Sequence, residues 1–403
     1  MRTRPPLLVP VSRSHIRRVI DDHWPQHAEG CDFFREPAEQ RLAIASQRRE
    51  AAERPLRLAP AVQPAVVELT RTIESRSASY WPGIARLLLR LVWDAGLQRR
   101  GPGELVPPVK DYVATLWRAA RRIEIDQDVP LPDFLCTSPA RLCELVGKIA
   151  SSRGRFKRNR AHGVLIMRAA RIGAGMIEPV AGDPLQVRGR IAVFGERPAE
   201  VRDGEAERVA RAPYLAACVV GAVEPDGPIE VLSAYAHPCA SPWHLMLVDS
   251  AQERRTLDQL RRVQTWLADH RGVRFLIEKP VFDTGPSVED EAPARPPCVP
   301  DFLLHPDEEG QQRPPLLIVE TMGYSDEKYR RRKERMHRMM RSTCGDAPLV
   351  LHEFSGGPGE TQAMRDDVFW KAVRLAVIVI QGLVVRQFPV RRRQRDRHFH
   401  RVP

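Results

Sequence analysis

Two stretches, Val299-Pro-Asp-Phe-Leu-Leu304 and Leu316-Leu-Ile-Val-Glu-Thr-Met-Gly323, decide the fold. The first is a short apolar run opened by Pro300-Asp301. The second is so apolar from Leu316 to Val319 that it reads as a central strand buried on both faces, with Glu320 at its end. If the two strands pair as neighbours, both carboxylates emerge at one edge of the sheet. Two carboxylates converging there repel and raise a pKa unless a cation sits between them. A hard, oxygen-seeking ion such as Mg²⁺ is the natural occupant, able to hold a phosphate oxygen and polarise a water for attack on phosphorus.

The elements around this pair follow from periodicity. Ser250-Ala-Gln-Glu253 is a capping box, and the helix after it carries Leu257, Leu260, Val263 and Leu267 on one face. Val273 to Ile277 reads as a strand and Asp283 to Pro297 as a Pro- and acid-rich loop. Val299–Leu304 and Leu316–Val319 follow as the next two strands. A helix starts at Tyr324-Ser325-Asp326 and runs to about Arg341. Leu349 to Phe354 is a fourth strand, and a long helix covers about Met364 to Val385. The order is helix, three strands, helix, strand, helix: a mixed α/β unit.

That order, with Pro300-Asp301 and Glu320 in place, resembles the PD-(D/E)xK nuclease superfamily, the restriction-endonuclease-like fold, over about residues 250–356. The resemblance implies an αβββαβ core in which Asp301 and Glu320, with the backbone carbonyl of Thr321, bind Mg²⁺ or Mn²⁺. The chain also looks like uncharacterised bacterial proteins of similar length. These have a strand ending Val-Glu-x-Met-Gly followed by Tyr and Lys on the next helix, here Val319 to Gly323, Tyr329 and Lys333.

One position departs from the superfamily pattern. The lysine expected two residues after the Glu is Met322. Members of the superfamily move this lysine to the following helix. At ~100° per residue, Tyr329, Lys333, Met336 and Met340 share one stripe, the least charged on that helix, which should face the sheet. Lys333 is therefore the expected catalytic lysine, ahead of Lys279 and Lys328. Glu253 matches an acidic residue that the superfamily often has on its first helix, although the capping box explains it equally well. Tyr329 and His337 are possible supporting residues.

The remaining chain gives the organisation. Its 403 residues divide into an Arg-rich, partly disordered segment (1–60), a helical domain (61–175), a β-rich region (176–248), the nuclease-like module (249–388) and a basic tail (389–403). Short helices are expected around His15 to Asp22 and Glu36 to Glu53. Longer ones are expected at Ile84 to Leu97, Val109 to Ile123 and from Ser138-Pro139 to Ala150. Tyr214–Val223 and Ile229–Tyr235 flank the turn Glu224-Pro-Asp-Gly227, a hairpin signal. The expected class is thus α+β and multidomain, with a helical N-terminal half, a β-rich middle and the restriction-endonuclease-like module at the C-terminal end.

The formal net charge is +12, and only seven of the 63 basic residues are lysines. Such a balance favours a polyanionic partner over an acidic one. Arg153, Arg155, Lys157, Arg158 and Arg160 surround Phe156, a pattern suited to backbone contact plus base stacking and equally to a solvated loop. Seven scattered cysteines without a CxxC read as reduced thiols, with Cys136 and Cys143 expected in a core. His237-Pro-Cys239 with His244 makes a poor soft-metal set because a fourth ligand is missing. No apolar run reaches the ~20 residues of a membrane span, and no secretory signal is present, so a cytoplasmic location is expected. The absence of GxxxxGK[ST] and GxGxxG argues against a P-loop NTPase or a dinucleotide enzyme.

The expected function is metal-dependent hydrolysis of DNA phosphodiesters. The alternatives are a catalytically degenerate nuclease fold that binds DNA or protein, and a helical interaction protein without a nucleic-acid role. Substrate form, sequence preference and oligomeric state are not legible.

Overall fold

The computed structural model describes residues 8–12, 15–18, 58, 83–103, 108–173, 175–194, 212–224, 226–284, 298–307, 314–323, 325, 327–357 and 359–387. The helix expected over Glu36 to Glu53 and the basic tail from 389 lie outside the described residues. β1 (Leu8–Ser12) and β2 (His15–Arg18) form an antiparallel hairpin, so the helix expected from His15 begins as a strand instead. The chain divides into two compact units. The first spans 1–46 and 64–81, and the second, 47–63 and 82–403, contains every element described below.

The N-terminal part of the second unit opens with α1 (Gly83–Asp94), β3 (Arg99–Arg100), α2 (Val109–Ala120), β4 (Glu124–Asp126), β5 (Val129–Pro130), β6 (Leu135–Cys136) and α3 (Leu142–Ser151). A larger sheet follows: β7 (His162–Gly173), β8 (Met176–Pro179), β9 (Leu185–Gln186), β10 (Ile191–Val193), β11 (Tyr214–Ala222) and β12 (Ile229–Pro238), in the order β10-β12-β11-β7-β8-β9 with β6 beside β7. The β11–β12 hairpin forms at the expected turn. β7 begins at His162, inside the span read as helical. Its first six residues are all buried, so the strand shows no polar alternation. Of the two cysteines expected in a core, Cys136 is buried and Cys143 is exposed.

The C-terminal part consists of α4 (Ala251–Arg271), β13 (Phe275–Glu278), β14 (Phe302–Pro306), β15 (Leu317–Met322), α5 (Glu327–Thr343), β16 (Leu349–Glu353) and α6 (Gln362–Gln387). The helix–three strands–helix–strand order is the one read from periodicity. Ser250 caps α4 as expected, and Gly272, at φ +64°, closes it in the left-handed conformation that glycine takes without a Cβ penalty. The sheet order is β16-β15-β14-β13-β3. β14 and β15 are antiparallel neighbours, and β15 and β16 are parallel.

Alternation along β15 sets the layers. Leu317 and Val319 pack with Leu257, Leu260 and Val263 of α4 and with Phe369, Val373 and Val377 of α6. Ile318 points the other way and packs with Met340 of α5. The strand is buried along its whole length, and each fully buried Leu or Ile contributes about 1.5–3 kcal/mol by leaving water. No helix among the described residues is long and apolar enough to cross a membrane.

Candidate active site

The register of β14 and β15 builds the site. Phe302 pairs with Val319, which sets Asp301 opposite Glu320. The Asp301 N–H donates to Glu320 Oε1 at 2.9 Å, and the Thr321 N–H donates to Asp301 Oδ2 at 2.7 Å. Each carboxylate thus holds the backbone of the strand opposite. The same alternation that turns Ile318 toward α5 turns Glu320 and Met322 toward it as well.

α5 meets that face with three side chains spaced four residues apart, which lie on one stripe of a helix. Lys333 Nζ donates to Glu320 Oε2 at 2.6 Å, and His337 Nε2 stands 3.6 Å from the same oxygen. The Tyr329 hydroxyl accepts from the Gly323 N–H at 3.3 Å and lies 3.5 Å from the Thr321 carbonyl oxygen. Asp301, Glu320, Thr321, Tyr329, Lys333 and His337 therefore converge. The side chain of Lys328 lies outside the described residues.

Lys279, ranked behind Lys333 in the sequence, lies beside a second pair of carboxyls. It is fully buried just past β13, with Nζ 2.9 Å from Asp249 Oδ2 and 3.0 Å from Glu253 Oε2. Glu253 stands at the start of α4 and meets Lys279. Its N–H donates to Ser250 Oγ, the first half of the capping box, and its Oε2 accepts from the N–H of Asp249, one residue before the N-cap, while the same oxygen meets Lys279. Asp249 itself was missed. It precedes the N-cap, where a carboxylate raises no signal of its own. Behind it, His237 Nε2 lies 3.2 Å from Asp249 Oδ1 and His237 Nδ1 lies 2.8 Å from the Tyr235 hydroxyl. His244 instead accepts from Arg100 Nε at 3.0 Å, and the Cys239 thiol points at the carbonyl oxygens of Pro213 and Ser241. His237, Cys239 and His244 thus face separate partners.

The electrostatics follow from burial and neighbours. Burial, then the charge of Glu320, raises the Asp301 carboxyl. Burial, then Asp249, pushes Glu253 up to about 8. Burial opposes ionisation of Glu320 too, but the Lys333 ammonium and the surrounding donors outweigh it and hold that carboxyl at about 2. Against burial, Lys279 holds Asp249 well below the usual carboxylate range. The carboxylates in turn keep Lys279 and Lys333 protonated well above the usual lysine value. Four carboxyls face two ammonium groups, so a proton or a further cation is needed wherever more than two of them ionise.

Among the described residues no group of three or more His, Cys, Asp and Glu side chains forms a metal cage. The donor chemistry nonetheless fits a hard divalent cation. Mg²⁺ commonly uses one or two carboxylates and leaves its other positions to water and substrate phosphate. Asp301, Glu320 and the Thr321 carbonyl offer such an oxygen-only set. Asp301 Oδ1 receives no hydrogen bond among the described residues, and a cation there would let Asp301 ionise beside Glu320.

The basic stretch near residue 155 is arranged differently. Arg153 pairs with Asp226, Arg155 with Asp133 and Lys157 with Asp128. The backbone N–H groups of Arg158 and Asn159 donate to Asp126, and the His162 Nδ1–H donates to the Arg160 carbonyl oxygen at 2.7 Å. Phe156 packs edge-on against Phe134 and against His162, rather than standing out as a stacking platform. None of these residues joins the Asp301–Glu320 cluster.

Comparison with known proteins agrees with this geometry. Residues 249–374 match the family model of the restriction endonuclease-like C-terminal domain. Residues 48–239 match a domain of unknown function. An uncharacterised protein in the cib 5′ region of Escherichia coli is 36% identical over 146 residues, covering 34% of this chain and 62% of that protein's length. No solved structure matches. Restriction endonuclease-like domains generally act on DNA and generally use divalent metals.

Proposed function

We propose that the restriction endonuclease-like domain hydrolyses DNA phosphodiesters with Mg²⁺ or Mn²⁺. The observation that carries this is the meeting of Asp301, Glu320 and Lys333 at one end of two paired strands. Asp301, Glu320 and the Thr321 carbonyl would hold the ion, which when bound supplies Lewis-acid polarisation of a phosphate oxygen and a reactive water at neutral pH. Lys333 neutralises charge developing on the attacked phosphate, a role that requires the protonated state its carboxylate neighbours enforce. Lys279 compensates Asp249 and Glu253 from the side opposite Lys333. Tyr329 fixes the backbone at Thr321 and Gly323 and so the aim of the carbonyl donor.

A second reading keeps the fold as a binding module without chemistry. Met322 in the usual lysine position favours it. Both readings are tested by incubating supercoiled and linear DNA with the purified chain in Mg²⁺ or Mn²⁺, beside Asp301→Asn and Glu320→Gln. Cleavage by the wild type that chelator abolishes and either variant lowers at least about a hundredfold is the expected result. Equal cleavage by Asp301→Asn would overturn the assignment. Salt-sensitive binding with no cleavage in any protein would select the binding module.

A further inference from the structure

Beside the carboxylate pair, an open groove of about 510 Å³ runs between the C-terminal half of α5 and the start of β16. It is lined by Glu334, His337, Arg338, Arg341, Pro348 and Leu349. Its inner wall is His337, which is more than nine-tenths buried. Nε2 of that ring has no hydrogen-bond partner, although it stands only 3.6 Å from Glu320 Oε2. A buried polar atom left unpaired is costly, and it invites a ligand that completes it.

The guanidinium groups point to what that ligand is. In the first half of α5, Arg330 pairs with Glu353, Arg331 with Glu327 and Lys333 with Glu320. Arg338 and Arg341 are exposed and have no carboxylate partner among the described residues. Of the six residues lining the groove, only Glu334 is acidic, so the cations there are not balanced. From His337 to Arg341 the helix rises about 6 Å, roughly two nucleotides of one strand at ~3.4 Å each. Pro348 and Leu349 form an apolar wall suited to the face of a sugar.

Resting on the nuclease activity proposed above, we infer that this groove is a backbone subsite for the nucleic acid. The phosphate next to the one at Asp301 and Glu320 is held by Arg338 and Arg341, with His337 between the two positions. The strand bearing the scissile bond then leaves along α5 toward its C-terminal end, not over the acid-paired loop at Arg153 to Arg160.

The test is equilibrium binding of a fluorescent 20-base-pair duplex to the full chain, in chelator so that nothing is cleaved, across a salt series. Each phosphate contact contributes about −0.9 to the slope of log K against log salt. Arg338→Ala/Arg341→Ala removes both cations from that one phosphate and is expected to flatten the slope by about 0.9 and to lower affinity at least tenfold at low salt. Arg338→Lys/Arg341→Lys keeps the charge and is expected to keep the slope. Arg153→Ala/Arg155→Ala, whose cations already have carboxylate partners, is expected to leave it unchanged. If the wild type binds and cleaves DNA while the double alanine variant keeps its slope, the groove assignment falls and the nuclease stands. If the slope flattens but no protein cleaves, the subsite stands and the chemistry falls. A wild type that neither binds nor cleaves overturns both.

Discussion

Moving the lysine back to the strand separates chemistry from folding at this site. Lys333→Met removes the cation 2.6 Å from a Glu320 side chain that has no solvent exposure. Breaking a buried ion pair from one side costs about 3–5 kcal/mol, because the remaining charge is left uncompensated. At about 2.1 cal/mol/K of unfolding entropy per residue, a unit of this size would melt roughly 4–7 °C lower. Cleavage should fall about 10²–10³-fold if Lys333 meets charge in the transition state. Met322 is buried, lies two residues beyond Glu320 and faces α5 as Glu320 does. The double variant Met322→Lys/Lys333→Met therefore returns an ammonium to Glu320 from the strand, with nearly the same total side-chain volume. It should regain more than half of the lost stability in urea melts and at least about tenfold of the lost cleavage. A single variant within about 1 kcal/mol of wild type that cleaves at the wild-type rate would refute the role of Lys333 in both respects.

Two further outcomes follow from the buried charges. Lys279→Met should cost about 3–5 kcal/mol in urea melts, and Lys279→Met/Glu253→Gln should recover part of it, since Glu253 is driven toward its protonated form; no loss in the single variant would show that Asp249 and Glu253 do not depend on that lysine. Burial, then Arg100 and Arg261, lowers His244 from the usual 6.5 to about 3, so its contribution to stability is complete above pH 6.5 and is lost as pH falls toward 3. By pH 4.5 the loss should reach about 3 kcal/mol, and His244→Gln, which keeps an acceptor for Arg100, should show a correspondingly shallower decline in urea midpoints between pH 7 and 4.5.

The order of elements from α4 to α6 was legible because each has a strong local cause: a capping box, a 3.6-residue apolar stripe or a run too apolar to be exposed. Asp301 and Glu320 were legible for the same reason, each being the single charged residue at the end of an apolar strand. Lys333 followed from helix geometry, which put it on the stripe facing the sheet, and His337, one turn further and named as a supporting residue, stands at the same Glu320 oxygen. Lys279 and Asp249 were not legible as partners. They are 30 residues apart, and only the packing of α4 across the sheet brings them together. β3 was missed because two residues carry no periodicity. The carboxylate partners of Arg153, Arg155 and Lys157, namely Asp226, Asp133 and Asp128, come from other turns and were not legible around Phe156.

These missed contacts share a consequence for how the chain is organised. The domain of unknown function and the restriction endonuclease-like domain meet inside one compact unit, and the meeting point is the candidate site. β3 extends the sheet by pairing with β13, next to Lys279. Gln98 fastens that junction. Its side-chain amide donates to the Lys279 carbonyl at 3.2 Å, its side-chain oxygen accepts from the Leu247 N–H at 2.8 Å, and its own carbonyl accepts from the Lys279 N–H. From β12, His237 braces the carboxylate of Asp249, which in turn holds the Lys279 ammonium. The Lys279 backbone is thus held directly by Gln98 of the 48–239 region, and its side chain by Asp249, which His237 of that region braces. Separating the two regions would open the edge of β13 and expose the Asp249–Lys279 pair to water, where such a pair is worth little. The N-terminal region is therefore a structural part of the carboxylate centre.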